Sequence, residues 1–172
     1  MASLTSTVPG AIGVLFGHLQ TVAAQNMSVD PSGGPVGVFL GPPVGEQVPN
    51  YRFVIGAFDN FELLPTYEGE FAAIPGSSYL KAEDYTIACH LQVWADPPDP
   101  LSRITDAFTL MSGVLSQLTG DIGASGSITP SGSWQVTSMR TPFQGPVNNA
   151  GWGIVVEFDI HVWNVQLSTP TS

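Results

Sequence analysis

Apolar residues at Ile12, Leu15, Phe16, Leu19, Val22 and Ala23 recur at spacings of three and four, which predicts an amphipathic helix from Gly10 to Gln25 with Pro9 in its first turn. The next stretch, to Asn50, is broken by Gly and Pro and predicts loop around one short strand at Val36 to Leu40. From Tyr51 the period becomes two, and Tyr51, Phe53, Ile55 and Ala57 share one side of a strand reaching Phe58. The clearest strand is Tyr85 to Ala95, where Tyr85, Ile87, Cys89, Leu91 and Val93 alternate with Thr86, Ala88, His90, Gln92 and Trp94. Asp99 before Pro100 is a helix start, because an N-cap acceptor precedes a residue whose ring suits the first turn. Ile104, Phe108, Met111, Leu115 and Leu118 predict the buried stripe of that helix, which runs to Thr119 and stops at Gly120.

Trp134 to Met139 alternates weakly and predicts a strand, and Thr141 to Gly151 reads as turn. A final strand, Gly153 to Leu167, turns Ile154, Val156, Phe158, Ile160 and Val162 one way and Glu157, Asp159 and His161 the other. Past Val162 the apolar positions shift to Trp163, Val165 and Leu167, a slip that a β-bulge or a change of cover would produce. Between strands, residues 59–84 carry Asp59, Glu62, Glu68, Glu70, Glu83 and Asp84 among the breakers Pro65, Pro75 and Gly76, and predict one long acidic loop. The fold class expected is α+β, a mainly antiparallel β-sheet with two α-helices packed on one face and long loops. With 172 residues and no internal repeat, a single domain over 1–172 is expected, with 168–172 as a flexible tail.

Charge changes the picture. Only 10% of residues are charged, with 14 Asp and Glu against 4 Lys and Arg, a formal net charge of −10, where ordinary soluble domains have about 25% charged residues. Arg52, Lys81, Arg103 and Arg140 are too few bases to neutralise the ~6–10 phosphates of a backbone-gripping nucleic-acid protein. No positively charged region precedes an apolar stretch at the start, and no run reaches the ~18 apolar residues of a membrane span. A soluble protein made in a cytosol is expected. The single Cys89 forbids an intramolecular disulfide and falls in the apolar alternation, as a buried thiol would.

Candidate chemistry is sparse. His90 and His161 lie on the polar faces of long strands, with Glu157 and Asp159 near the second, and their convergence would offer two imidazoles and a carboxylate to a transition metal. Ordinary surface strand positions account for them better. His18 reads as a boundary residue of the first helix. No phosphate loop, nucleophile elbow or HExxH zinc helix is present. No cofactor and no catalytic residue is therefore expected. Aromatic residues instead fall on faces that should be wet: Phe58, Trp94 and Trp163 are each out of phase with the apolar side of their strands. On a charge-poor chain this predicts a subunit or partner interface at these three residues.

The order of elements, with "EDYTIACHLQVWADPPDP" leading into "LSRITDAFTLMSGVLSQLTGDIG" and a terminal "GWGIVVEFDIHVWNVQL", resembles the tail terminator proteins of long-tailed bacteriophages. Glu83, Tyr85, Asp96, Asp99, the helix from Pro100 to Thr119 and the strand Gly153 to Leu167 carry the resemblance. It implies a non-enzymatic virion protein at the tail–head junction, assembled in the bacterial cytoplasm. Such a protein caps the tail tube as a closed ring, usually a hexamer, and presents its other face to the head connector or head-completion protein. DNA passes through the ring without specific binding, and Asp59, Glu62, Glu68 and Glu70 would line its lumen. A tail tube subunit or a head-completion protein is the nearest alternative. A metal-dependent enzyme using His90 and His161 is a distant one.

Overall fold

The two segments with the longest period-two alternation pair with each other. A computed structural model of the chain describes residues 8–43, 48–56, 67–73, 80–95, 99–120, 133–146 and 151–167. Its elements run α1 (Val8–Gln25), β1 (Val36–Leu40), β2 (Tyr51–Ile55), β3 (Tyr67–Ala73), β4 (Leu80–Ala95), α2 (Pro100–Gly120), β5 (Ser133–Pro146) and β6 (Trp152–Leu167). Strands β4 and β6 form an antiparallel ladder unbroken from Leu80 opposite Leu167 to Ala95 opposite Trp152. The sheet order is β1-β2-β4-β6-β5, with β3 also pairing β4. All pairings are antiparallel except β1 with β2. This is the expected α+β class, with both helices packed against one face of the sheet.

Alternation on the ladder decides what that face buries. Tyr85, Ile87, Cys89, Leu91 and Val93 on β4 meet Ile154, Val156, Phe158, Ile160 and Val162 on β6, all buried. Tyr51, Phe53 and Ile55 extend the layer on β2. Ala11, Leu15, Leu19 and Val22 of α1 and Ala107, Leu110, Met111, Val114 and Leu118 of α2 cover it. The helices approach closely at Gly113, where a Cβ would come within 2.9 Å of Val22 Cγ1. His18 of α1 meets the ring of Trp134 edge-on, with centroids 5.4 Å apart.

Several expectations need correcting. Residues 59–84 are not one loop, because β3 and the first turns of β4 occupy Tyr67–Ala73 and Leu80 onward, where a sixteen-residue β4 has edge length left over after pairing with β2. Thr141 to Pro146 is strand, not turn: β5 continues past Met139 by absorbing register shifts between Val136 and Ser138 and between Arg140 and Phe143. The bulges thus lie in β5, and β6 has none against β4, so simple alternation places Trp163 on the outer face with His161.

The buried stripe of α2 is rotated from the one expected. At 100° per residue its apolar positions span an arc of about 180°, wider than the ~100° that one packed face needs. Ala107, Leu110, Met111, Val114 and Leu118 take the inner part of that arc. Leu101, Phe108 and Leu115 are left outside at 74%, 42% and 41% exposure. The helix start is as expected. The Asp99 carboxylate accepts from the Ser102 amide at 3.3 Å and from the Ser102 hydroxyl, which together hold it below its ordinary pKa.

Two outcomes check this packing. Leu110→Ala lowers unfolding free energy by about 2–5 kcal/mol in a denaturant titration, while Leu101→Ala changes it by no more than about 0.5 kcal/mol. Asp99→Ala destabilises the protein at neutral pH. Because the carboxyl is held low in the fold, its contribution is present above an unfolded pKa of about 3.9 and lost as pH falls through the folded value, so thermal melts of variant and wild type converge in acid.

Candidate functional site

The face of the sheet away from the helices carries the polar half of each alternation. His90 stands opposite Glu157 across the β4–β6 ladder, and His161 stands opposite Thr86. The two histidines are thus four positions apart along the strands, about 13 Å at ~3.3 Å per residue, while ligands of one metal sit near 2 Å from it. Each member of the expected metal set has another partner. The His161 Nε2 lies 2.6 Å from Asp84 Oδ1, Glu157 pairs with Arg140, and the Ser138 hydroxyl donates to Asp159 at 2.5 Å. No group of three His, Cys, Asp or Glu able to hold a metal is present among the described residues. The distant reading of a metal enzyme built on His90 and His161 therefore fails on geometry.

His90 is instead a pin. It is only 4% exposed, and its Nδ1 lies 2.9 Å from the carbonyl oxygen of Gly56. A carbonyl can only accept, so Nδ1 carries the proton in this contact. Gly56 follows β2 with φ +147°, a conformation open to glycine, and its amide donates to the Ala88 carbonyl at 2.8 Å. His90 thereby fastens the end of β2 to β4. Burial, aided by the charge of Arg52, lowers its pKa against the opposing effect of the Gly56 bond.

A polar network that sequence reasoning missed lies where β2 and α2 begin. The Tyr51 hydroxyl donates to Asp106 Oδ2 at 2.6 Å and accepts from Arg103 Nη1, and Arg103 and Asp106 form an ion pair at 3.4 Å. Tyr51 and Arg103 are buried, and Arg103 Nε has no hydrogen-bond partner among the described residues. Burial first, then the Asp106 bond and charge, push the Tyr51 pKa well above its ordinary value. Only the spacing of Arg103 and Asp106 on one helix face hinted at this network, and nothing in the chain's pattern pointed to Tyr51. Cys89 is inert, as expected, because burial raises its thiol pKa.

Of the expected interface aromatics, Trp94 and Trp163 stand ten positions apart along the β4–β6 ladder. Trp94 is half-buried opposite Gly153, and Trp163 is 44% exposed opposite Asp84, at the two ends of one ladder. Phe58, Asp59 and Glu62 lie outside the described residues, and Glu68 and Glu70 sit on β3 opposite Thr86 and Asp84. Among the described residues, other exposed large apolar side chains are Leu101, Phe108 and Leu115 on α2, Met27 after α1, Leu40 at the end of β1, and Met139 and Phe143 on β5. The signal for the α2 residues was present in the excessive width of its apolar arc. No helix among the described residues is long and apolar enough to cross a membrane.

The two buried polar groups give opposite pH signatures. His90 is depressed in the fold, so its contribution is full above an unfolded pKa of about 6.5 and is lost as pH falls below it; His90→Gln flattens the acid side of the stability profile. Tyr51 is raised, so its contribution is full below about pH 10 and is lost as pH rises further. In an alkaline titration followed by tyrosinate absorbance, Tyr51 ionises only with unfolding, and Tyr51→Phe removes its share of the delayed amplitude while costing about 1–3 kcal/mol by taking one hydrogen-bond partner from each of Asp106 and Arg103. In comparison with known proteins, no protein-family model matches the chain, and no curated protein matches it significantly.

Proposed function

We propose that the chain is a structural subunit that assembles with copies of itself into a closed ring, and that this ring is the tail terminator of a long-tailed bacteriophage. The observation that carries the reading is exposed apolar surface on a chain-wide charge deficit: Leu101, Phe108, Leu115, Met27, Leu40, Met139 and Phe143 lie outside while only 10% of residues are charged. Isolated exposed apolar residues are ordinary. Three on one helix at spacings of seven, on a surface without charge to keep it solvated, are the composition of an interface core. The helix–strands–helix–strands order agrees with the resemblance noted above. The partners that follow are the tail tube protein on one face of the ring and the head connector or head-completion protein on the other.

DNA would pass without being held. Four basic residues against fourteen acidic ones leave nothing to release counterions from phosphates, and a ring multiplies that acid excess around its lumen.

Native mass measurement and negative-stain micrographs of purified protein test the reading. A single closed species, with a ring outline of about six copies, is expected. A strict monomer at high concentration overturns it, and long open cylinders would move the protein to the tail tube. In the same preparation, duplex DNA at low salt shows no change in fluorescence anisotropy; tight binding would contradict a freely passing lumen.

A further inference from the structure

Two surfaces of the helix layer lack charge, and they have opposite shapes. The first is a ridge. Leu101, Phe108 and Leu115 project from α2 over 14 residues, about 21 Å of helix at 1.5 Å per residue. Their exposed neighbours are Thr105, Thr109, Ser112 and Ser116. The ionic residues of this helix, Arg103 and Asp106, are both engaged with Tyr51 on the inner side. The second is a groove of about 300 Å³ between the last turns of α1 and the edge strand β1, bounded by Gln20, Ala23, Ala24, Met27, Val36 and Val38. No ionisable side chain lines it.

The groove is poorly suited to a small molecule. It is at the lower end of the ~300–1,000 Å³ of ligand sites, and only Gln20 offers a polar side chain with which to orient one. Its small Ala23 and Ala24 and the exposed, pliable Met27 suit an apolar helix face, in the way helix-in-groove contacts use anchors one and two turns apart. Copies of a chain with net charge −10 repel one another, and the cost of contact is least where neither surface carries charge.

We propose that the α2 ridge of one copy seats in the α1–β1 groove of a second copy. This deepens the ring reading and rests on it. Ridge and groove are different patches of the same chain, so the contact is head-to-tail, and repetition about an axis closes it into a ring. Closure makes the last contact of such a ring intramolecular and so adds stability that a single pair lacks.

The test uses the full chain, with buried Cys89 as a quiet background. Phe108→Glu and Ala24→Glu alter exposed positions; each keeps the wild-type circular dichroism and lowers the ring fraction at least tenfold in native mass spectra. With a short bis-maleimide linker, a double variant carrying Ser112→Cys and Ala24→Cys gives a ladder of cross-linked oligomers. The two single variants mixed give dimers only, and the Ser112→Cys variant alone stays monomeric on a denaturing gel. If wild type forms rings while both Glu variants still assemble, or the double variant gives no ladder, this contact is wrong and the ring reading stands. Self-cross-linking of the Ser112→Cys variant would replace it with a two-fold α2 contact. A monomeric wild type overturns the ring reading itself.

Discussion

The ladder between β4 and β6 is the constraint from which the other elements take their places. Sixteen residues of each strand pair without a register shift, so one alternation, read twice, sorts side chains to two faces along the whole length of the sheet. A slip of one residue would turn Phe158, Ile160 and Val162 outward and Asp159 and His161 into the core. The two free edges of this pair then receive β2 and β3 end to end along β4 and β5 along β6, and β1 adds outside β2. The helices need only cover the apolar face that the ladder has already defined.

Covering is incomplete. Helix α2 has more apolar circumference than the sheet and α1 can hide, so Leu101, Phe108 and Leu115 stay outside while its two ionic residues turn inward to Tyr51. The interior thereby holds a charged pair, and part of the surface holds leucine and phenylalanine, the reverse of the usual distribution. In the proposed ring that ridge would become interior.

The interior polar groups have structural duties that the sequence did not announce. His90 was legible as a residue on the polar face of its strand, but its near-complete burial and its bond to the Gly56 carbonyl were not. The pairing of Tyr51 with Asp106 spans 55 residues, and no local period carries information over that separation. The supposed metal set illustrates the converse. His90 and Glu157 do stand side by side, as strand pairing allowed, yet the register fixes His161 four positions away.

From the sequence alone came the two helices, the capping of α2 by Asp99, the principal strands, the α+β class, the burial of Cys89 and the absence of phosphate-gripping charge. Each depends on spacing within one segment or on composition, and both are local properties of the chain. The strand at Tyr67–Ala73, the extension of β5 through Pro146 and the rotation of α2 were decided by tertiary structure. A weakly alternating segment becomes a strand only when a neighbour offers an unpaired edge. A helix with an apolar arc of about 180° can turn either margin inward, and only the shape of the sheet beneath it selects which residues are left exposed.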